Sequence, residues 1–265
     1  YDSTDIKKID SIIAQKLNSI IDISKNKYIH PKFFGGYGFN VNSKPIDNWN
    51  NFPRGYFILP ECIISSNNNH TLISIIKKIS PEITPDMLYS EIQKIYNHLK
   101  DSPPEEQTQD KLIIKNSRYS INKDDYLNKI NNIIDKIKND DFKKIVFSKS
   151  KYIEFNKELN FIKSMGILRS LYPKCINFFI KIPNRGIFFG SSPERLINKN
   201  DIHIETEAIA GTIKRGSNSI DDKKLELELK NDKKNLHEHQ LVIDKIIELL
   251  DSKLIDIKIP KDPYI

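Results

Sequence analysis

The chain has 265 residues, 38% of them hydrophobic, which suits a water-soluble globular protein with one large core or two small ones. Its formal net charge is +7, but Lys and Arg are dispersed among Asp and Glu without a long single-sign block, so a nucleic-acid surface is not expected. No window reaches the roughly 18 uninterrupted apolar residues of a membrane helix, and Tyr1 to Lys8 lacks a secretory pattern; no membrane span and a cytoplasmic location are expected.

Only six of the 42 basic residues are Arg, while Lys, Ile and Asn abound, a bias that an AT-rich genome writes into any protein. Cys62 and Cys175 each lie in an apolar run, as buried reduced thiols do.

In chain order, Ile6, Ile9, Ile12, Ile13, Leu17, Ile20 and Ile21 recur at helical spacing and predict an opening amphipathic helix. FFGGYGFN at Phe33 to Asn40 predicts a strand where backbones approach closely, and Trp49 to Ile58 a second, the two forming a hairpin. Asn67 to His70 reads as a polar loop and Thr71 to Ile79 as a strand. Pro81 to Gln109 reads as a helix followed by a surface connection. Asp124 and Asp125 precede Tyr126, Leu127, Ile130, Ile133, Ile134 and Ile137, the charge pattern of a helix N-terminus. A strand Lys144 to Ser148 follows, then a helix Leu159 to Tyr172. Strands are expected at Cys175 to Ile182, Ile187 to Gly190, Leu196 to Lys199 and His203 to Ala210. A long helix from about Ile220 to Leu250 and a strand Leu254 to Ile259 close the series. The class is α+β, with antiparallel strands and helices packed on them.

Four segments carry groups suited to chemistry: KKIVFSKS at Lys143 to Ser150, GSSPERL at Gly190 to Leu196, TEAIAGTIKRG at Thr206 to Gly216, and KNLHEHQLV at Lys234 to Val242. Lys144 begins an apolar run, where a desolvated lysine can take a proton from water; the plainer reading is a solvated lysine beside Lys143. Glu194 is held in a Pro193 turn, where a sheltered carboxyl acts as a general acid; the alternative is a turn glutamate paired with Arg195 or solvent. Ala208, Ala210 and Gly211 let a ligand lie against the backbone, whose N–H groups receive a carboxylate, and Thr212 adds a hydroxyl. HEHQL is not HExxH, because Leu241 stands where the second histidine belongs, so zinc is not expected. Neighbouring helical residues point about 100° apart, and of the three in HEH, Glu238 is the better candidate, as an oxygen ligand for Mg2+. An exposed helix face is the competing reading.

Taken together and in this order, the four segments resemble the signature segments of the chorismate-utilising family of isochorismate, salicylate, anthranilate and aminodeoxychorismate synthases. The upstream FFGGYGF and GYFILPE stretches resemble that family too, so the likeness covers nearly the whole chain as one chorismate-binding domain, 1–265, with its signature-rich core at about 120–265. The resemblance implies two stacked antiparallel β-sheets with outer helices. It makes Lys144 the general base of the water-using members, where anthranilate synthases have glutamine. It makes Glu194 the general acid, Gly211 a backbone donor to a substrate carboxylate, and Glu238 a ligand of Mg2+. Ala210 stands where aminodeoxychorismate synthases place a nucleophilic lysine. The implied activity is that of an isochorismate synthase, an isomerase of menaquinone or siderophore biosynthesis: water attacks C2 of chorismate while the C4 hydroxyl departs, with no glutaminase subunit. A basic domain would favour the approach of such a dianionic substrate. The alternatives are a salicylate synthase and a non-catalytic, truncated chorismate-binding or partner-binding subunit.

Lys149 departs from the arginine usual in relatives, losing fork geometry, and Asn235 from the aspartate of a KD pair, losing a charge near the metal helix. Relatives also continue beyond the region matching Ile265, so the domain is expected to be incomplete at its C-terminus and 265 residues alone to be poorly active.

Overall fold

The computed structural model describes residues 6–21, 31–40, 47–67, 69–101, 111–253, 256–260 and 263. The backbone clusters into two compact units, Tyr1–Gln109 with Phe179–Phe189, and Asp110–Phe178 with Gly190–Ile265.

In the first unit, helix α1 (Ile6–Asn18) forms where the isoleucine spacing predicts it. Strand β1 (Phe34–Tyr37) pairs antiparallel with β2 (Gly55–Ile58), setting Gly35 opposite Phe57. A Cβ on Gly35 would lie 1.9 Å from the Tyr56 carbonyl oxygen, so this strand pair closes only over glycine. Ile9 of α1 is fully buried and packs on Gly55, where a Cβ would stand 2.8 Å from its Cδ1. The Tyr37 hydroxyl donates to Asp10 Oδ1 at 2.8 Å and ties the helix to the hairpin. Partial burial, with the bond to Asp10 and its charge, pushes the Tyr37 phenol up to about 12.

Strands β3 (Cys62–Ser66) and β4 (Thr71–Ile75) make a second antiparallel hairpin, and Ile63 is buried within it. The ladder stops at Ile75 rather than Ile79, with one further bond from Ile76 N–H to the Glu61 carbonyl at 2.8 Å. Lys77 then pairs with Glu61 and, at 2.9 Å, with Glu91 of helix α2 (Pro85–Asp101). Most of the surface connection expected up to Gln109 lies outside the described residues.

The second unit pairs β5 (Ile114–Tyr119) with β6 (Lys151–Phe155) across helix α3 (Lys123–Lys138). Asn122 caps α3 by accepting the Asp125 N–H, with Asp124 and Asp125 in the first turn and Lys136 and Lys138 in the last, as the helix dipole favours. Helix α4 (Phe161–Leu171) is capped in the same way by Asn160. Strands β7 (Ile176–Ile182) and β8 (Gly186–Ser192) form the next hairpin. Its outer part belongs to the first unit, where Phe188 meets Trp49 edge-on at 5.3 Å and Ile182 is buried. The short hairpin of β9 (Asn198–Asn200) and β10 (His203–Glu205) leads to helices α5 (Ser219–Asn231) and α6 (Lys233–Leu250).

Helices mixed with antiparallel strands are what the sequence predicts. Among the described residues the sheets are five two-stranded ones. Several boundaries differ. Lys144 to Ser148 joins no ladder, and Val146 is 82% exposed: the apolar run favours extended backbone, but a strand needs a hydrogen-bonded neighbour. For the same reason the strand expected to Ala210 ends at Glu205, and Leu196 and Ile197 precede β9. The single helix from Ile220 to Leu250 is two, broken at Asp232, whose extended backbone ends α5 while its carboxylate accepts the Asn235 N–H and caps α6. Of the expected closing strand, 254–255 lie outside the described residues and 256–259 carry no ladder. Cys62 and Cys175 are free thiols, half-buried rather than buried. Among the described residues no helix is long and apolar enough to cross a membrane.

Candidate functional site

All four signature segments fall in the second unit; one lies on α6 and two others meet it there. The cap at Asp232 fixes where this helix begins, and positions 235, 238, 239 and 242 then form one half-buried stripe at helical spacing. Each of the first three meets a different piece of the site.

Glu238 meets Lys144. The Lys144 Nζ lies 2.9 Å from Glu238 Oε1, with side chains 29% and 38% exposed. The lysine reaches this carboxylate from the ladder-free stretch before β6, so its position depends on the helix and not on a sheet. The proposed base and the proposed metal ligand are therefore direct partners, which their separation of 94 positions in the sequence does not announce.

Asn235 meets Gly211. This glycine has φ +85, the left-handed region that L side chains avoid, and a Cβ there would sit 3.2 Å from both Cβ and Oδ1 of Asn235. Asn235 thus packs on the glycine expected to receive a carboxylate. Ala210 is half-buried beside it, and Thr212 is exposed.

His239 meets Ala208, with Nε2 3.0 Å from the carbonyl oxygen. A carbonyl only accepts, so this ring nitrogen carries the proton. Sequence reasoning chose Glu238 within HEH and passed over this histidine. No sequence signal marks it, because what two residues about 100° apart on one helix each meet depends on packing.

Farther along the same segment, Asp222 accepts from Arg215 Nε and from the Gly216 N–H, both at 2.8 Å, and pairs with the Arg215 guanidinium. The arginine, and then the backbone donor, hold this carboxyl down at about 2.

Glu194 stands apart. It is exposed after β8, and Ser192 brackets its backbone, donating to the Glu194 carbonyl at 3.0 Å. Among the described residues its carboxylate makes no hydrogen bond or ion pair with Lys144, Glu238 or the Ala208–Thr212 stretch. Arg195 does not pair with it either; it lies 3.7 Å from Glu205.

As a holder of Mg2+, the site offers the Glu238 carboxylate, and among the described residues no group of three His, Cys, Asp or Glu collects around a point. Mg2+ keeps several waters and takes one or two carboxylates together with oxygens of its substrate, so this donor set fits an ion shared with a ligand, not an all-protein cage.

Comparison with known proteins identifies the family. The profile of the family described as "Chorismate binding enzyme" matches residues 2–265. Isochorismate synthase MenF of Bacillus subtilis is 26% identical over 239 residues, 89% of this chain and 50% of its own length. Anthranilate synthase component 1 of the same organism is 42% identical over 78 residues, 29% of this chain and 15% of its own. The solved structure of MenF, the menaquinone-specific isochorismate synthase from Escherichia coli, covers 95% of this chain with a TM-score of 0.66 at 17% identity, and the fold is shared. Over that superposition the chain takes up 53% of the solved protein, so it spans about half the length of both isochorismate synthases. With the family profile matched from residue 2 to residue 265, the chain belongs to the chorismate-binding enzyme family.

Proposed function

We propose that the protein is an isochorismate synthase, interconverting chorismate and isochorismate by exchange of a ring hydroxyl with water. The reading rests on the Lys144–Glu238 pair on α6, the helix along which Ala208 and Gly211 also lie. The similarity to an isochorismate synthase over 89% of the chain supports it.

In this reading, Lys144 is the general base for the water that bonds to C2 of the ring. Both ring double bonds shift, and the C4 hydroxyl leaves as water with a proton from Glu194. The Gly211 N–H and the Thr212 hydroxyl receive a substrate carboxylate, and Ala210 leaves room for the ring without offering a nucleophile of its own. Glu238, together with substrate and water oxygens, would hold Mg2+, which would supply charge neutralisation of the ring carboxylate and a template for orientation. Glu238 is a shared group, since the carboxylate that would hold the ion is the one that now holds Lys144.

The 42% identity to an anthranilate synthase over 78 residues favours a second reading, in which ammonia replaces water. One experiment separates them. Protein expressed from its complete gene is given chorismate and Mg2+, with and without ammonium, and products are resolved by chromatography beside Lys144→Gln and Glu194→Gln. Isochorismate from the parent, lost in both variants, is the expected result; anthranilate with ammonium, salicylate as the main product, or no product would overturn it.

A further inference from the structure

The segment between β10 and α5 has no strand partner among the described residues, yet it carries the backbone that the proposed function assigns to a substrate carboxylate. Its two ends are tied: the Thr206 hydroxyl donates to the Leu196 carbonyl at 2.7 Å, and the Gly216 N–H donates to Asp222 at 2.8 Å. Between Thr206 and Arg215, the one hydrogen bond to this segment among the described residues is that of His239 to the Ala208 carbonyl. Backbone without a ladder is held only by such contacts. Gly211 is three residues from Ala208, and Asn235, one turn before His239 on α6, closes over its other side.

We infer that His239 is a positioning residue: its Nε2–H fixes the Ala208 carbonyl and so sets the Ala210–Thr212 backbone against α6. It touches neither substrate nor reacting atoms. The link to catalysis rests on the function proposed above; the link to backbone order does not.

The test compares His239→Gln with His239→Asn in protein expressed from the complete gene. A glutamine amide nitrogen falls near the position of Nε2, whereas the asparagine amide is one methylene short, so the two variants share polarity and differ in reach. Backbone amide 15N order parameters over residues 207–213 are expected to stay near the parent values in His239→Gln. In His239→Asn they should fall from about 0.85 toward 0.6. Those of α3 and α4 should not change in either. With chorismate as substrate, KM is expected to rise about three- to tenfold in His239→Asn, the effect of one net hydrogen bond, with kcat changed less, and His239→Gln to restore it. Equal order parameters in the two variants, or a fall in kcat with KM unmoved, would overturn the assignment. If the parent does not convert chorismate, the functional reading fails, and the order-parameter contrast alone decides whether His239 positions this backbone.

Discussion

Replacing Gly211 by alanine separates two costs that the structure sets side by side. At φ +85 an alanine occupies the left-handed region, at about 1–2 kcal/mol. Its Cβ also meets Asn235 at 3.2 Å, forcing that half-buried side chain off its rotamer at about 0.5–1.5 kcal/mol. Gly211→Ala should therefore lose about 1.5–3.5 kcal/mol by equilibrium urea unfolding, read as a lower midpoint at constant slope. Adding Asn235→Ala removes the Oδ1 and Cγ contacts but keeps the Cβ contact and the backbone cost, so the double variant should recover less than about 1 kcal/mol. The helix cap survives this change, because Asp232 binds the backbone N–H of residue 235. Gly211→Ala within about 0.5 kcal/mol of the parent, or full recovery in the double variant, would refute the argument that backbone strain at this position is the larger cost.

The Lys144–Glu238 pair is about one-third exposed on both sides, so a double-mutant cycle with Lys144→Met and Glu238→Gln should give a coupling of about 0.5–1 kcal/mol, shrinking in 1 M salt; no coupling would dissolve the pair on which the site is built. Asp222 is depressed to about 2, so its contribution to folding is present above the ordinary carboxylate value and is lost as pH falls through about 2. A carboxyl NMR titration should find that midpoint and its return toward the ordinary value in Arg215→Met; an unperturbed midpoint in the parent would contradict the turn geometry.

Helices were legible in this sequence and strand partners were not. Amphipathic spacing and capping residues mark α1, α3 and α4 within a few positions, because a helix is written in residues close in sequence. The break at Asp232 escaped because it lies in a charged run, Lys230 to Lys234, that reads equally well as the solvated face of one continuous helix. Strand β5 escaped because IKNSRY is exposed at all six positions and shows no apolar alternation, whereas Ile145 to Phe147 shows an apolar run and pairs with nothing described. The candidate site was legible as motifs, and its geometry was not. No local pattern says that Lys144 ends on Glu238 or that His239 ends on Ala208, since both contacts follow from how α6 meets loops distant in the chain.

Lys149 shows what that geometry does to an apparent loss. Its ammonium lies 4.4 Å from the centre of the Tyr119 ring and 4.9 Å from that of Tyr126, so among the described residues its partners are two ring faces and not a carboxylate. Ring faces ask for positive charge near their centres; they do not ask for the paired donors of a guanidinium. Where the partner is aromatic, a drifting genome can exchange one basic codon for another and keep the contact, so the shortage of arginine in this chain weighs least at this position.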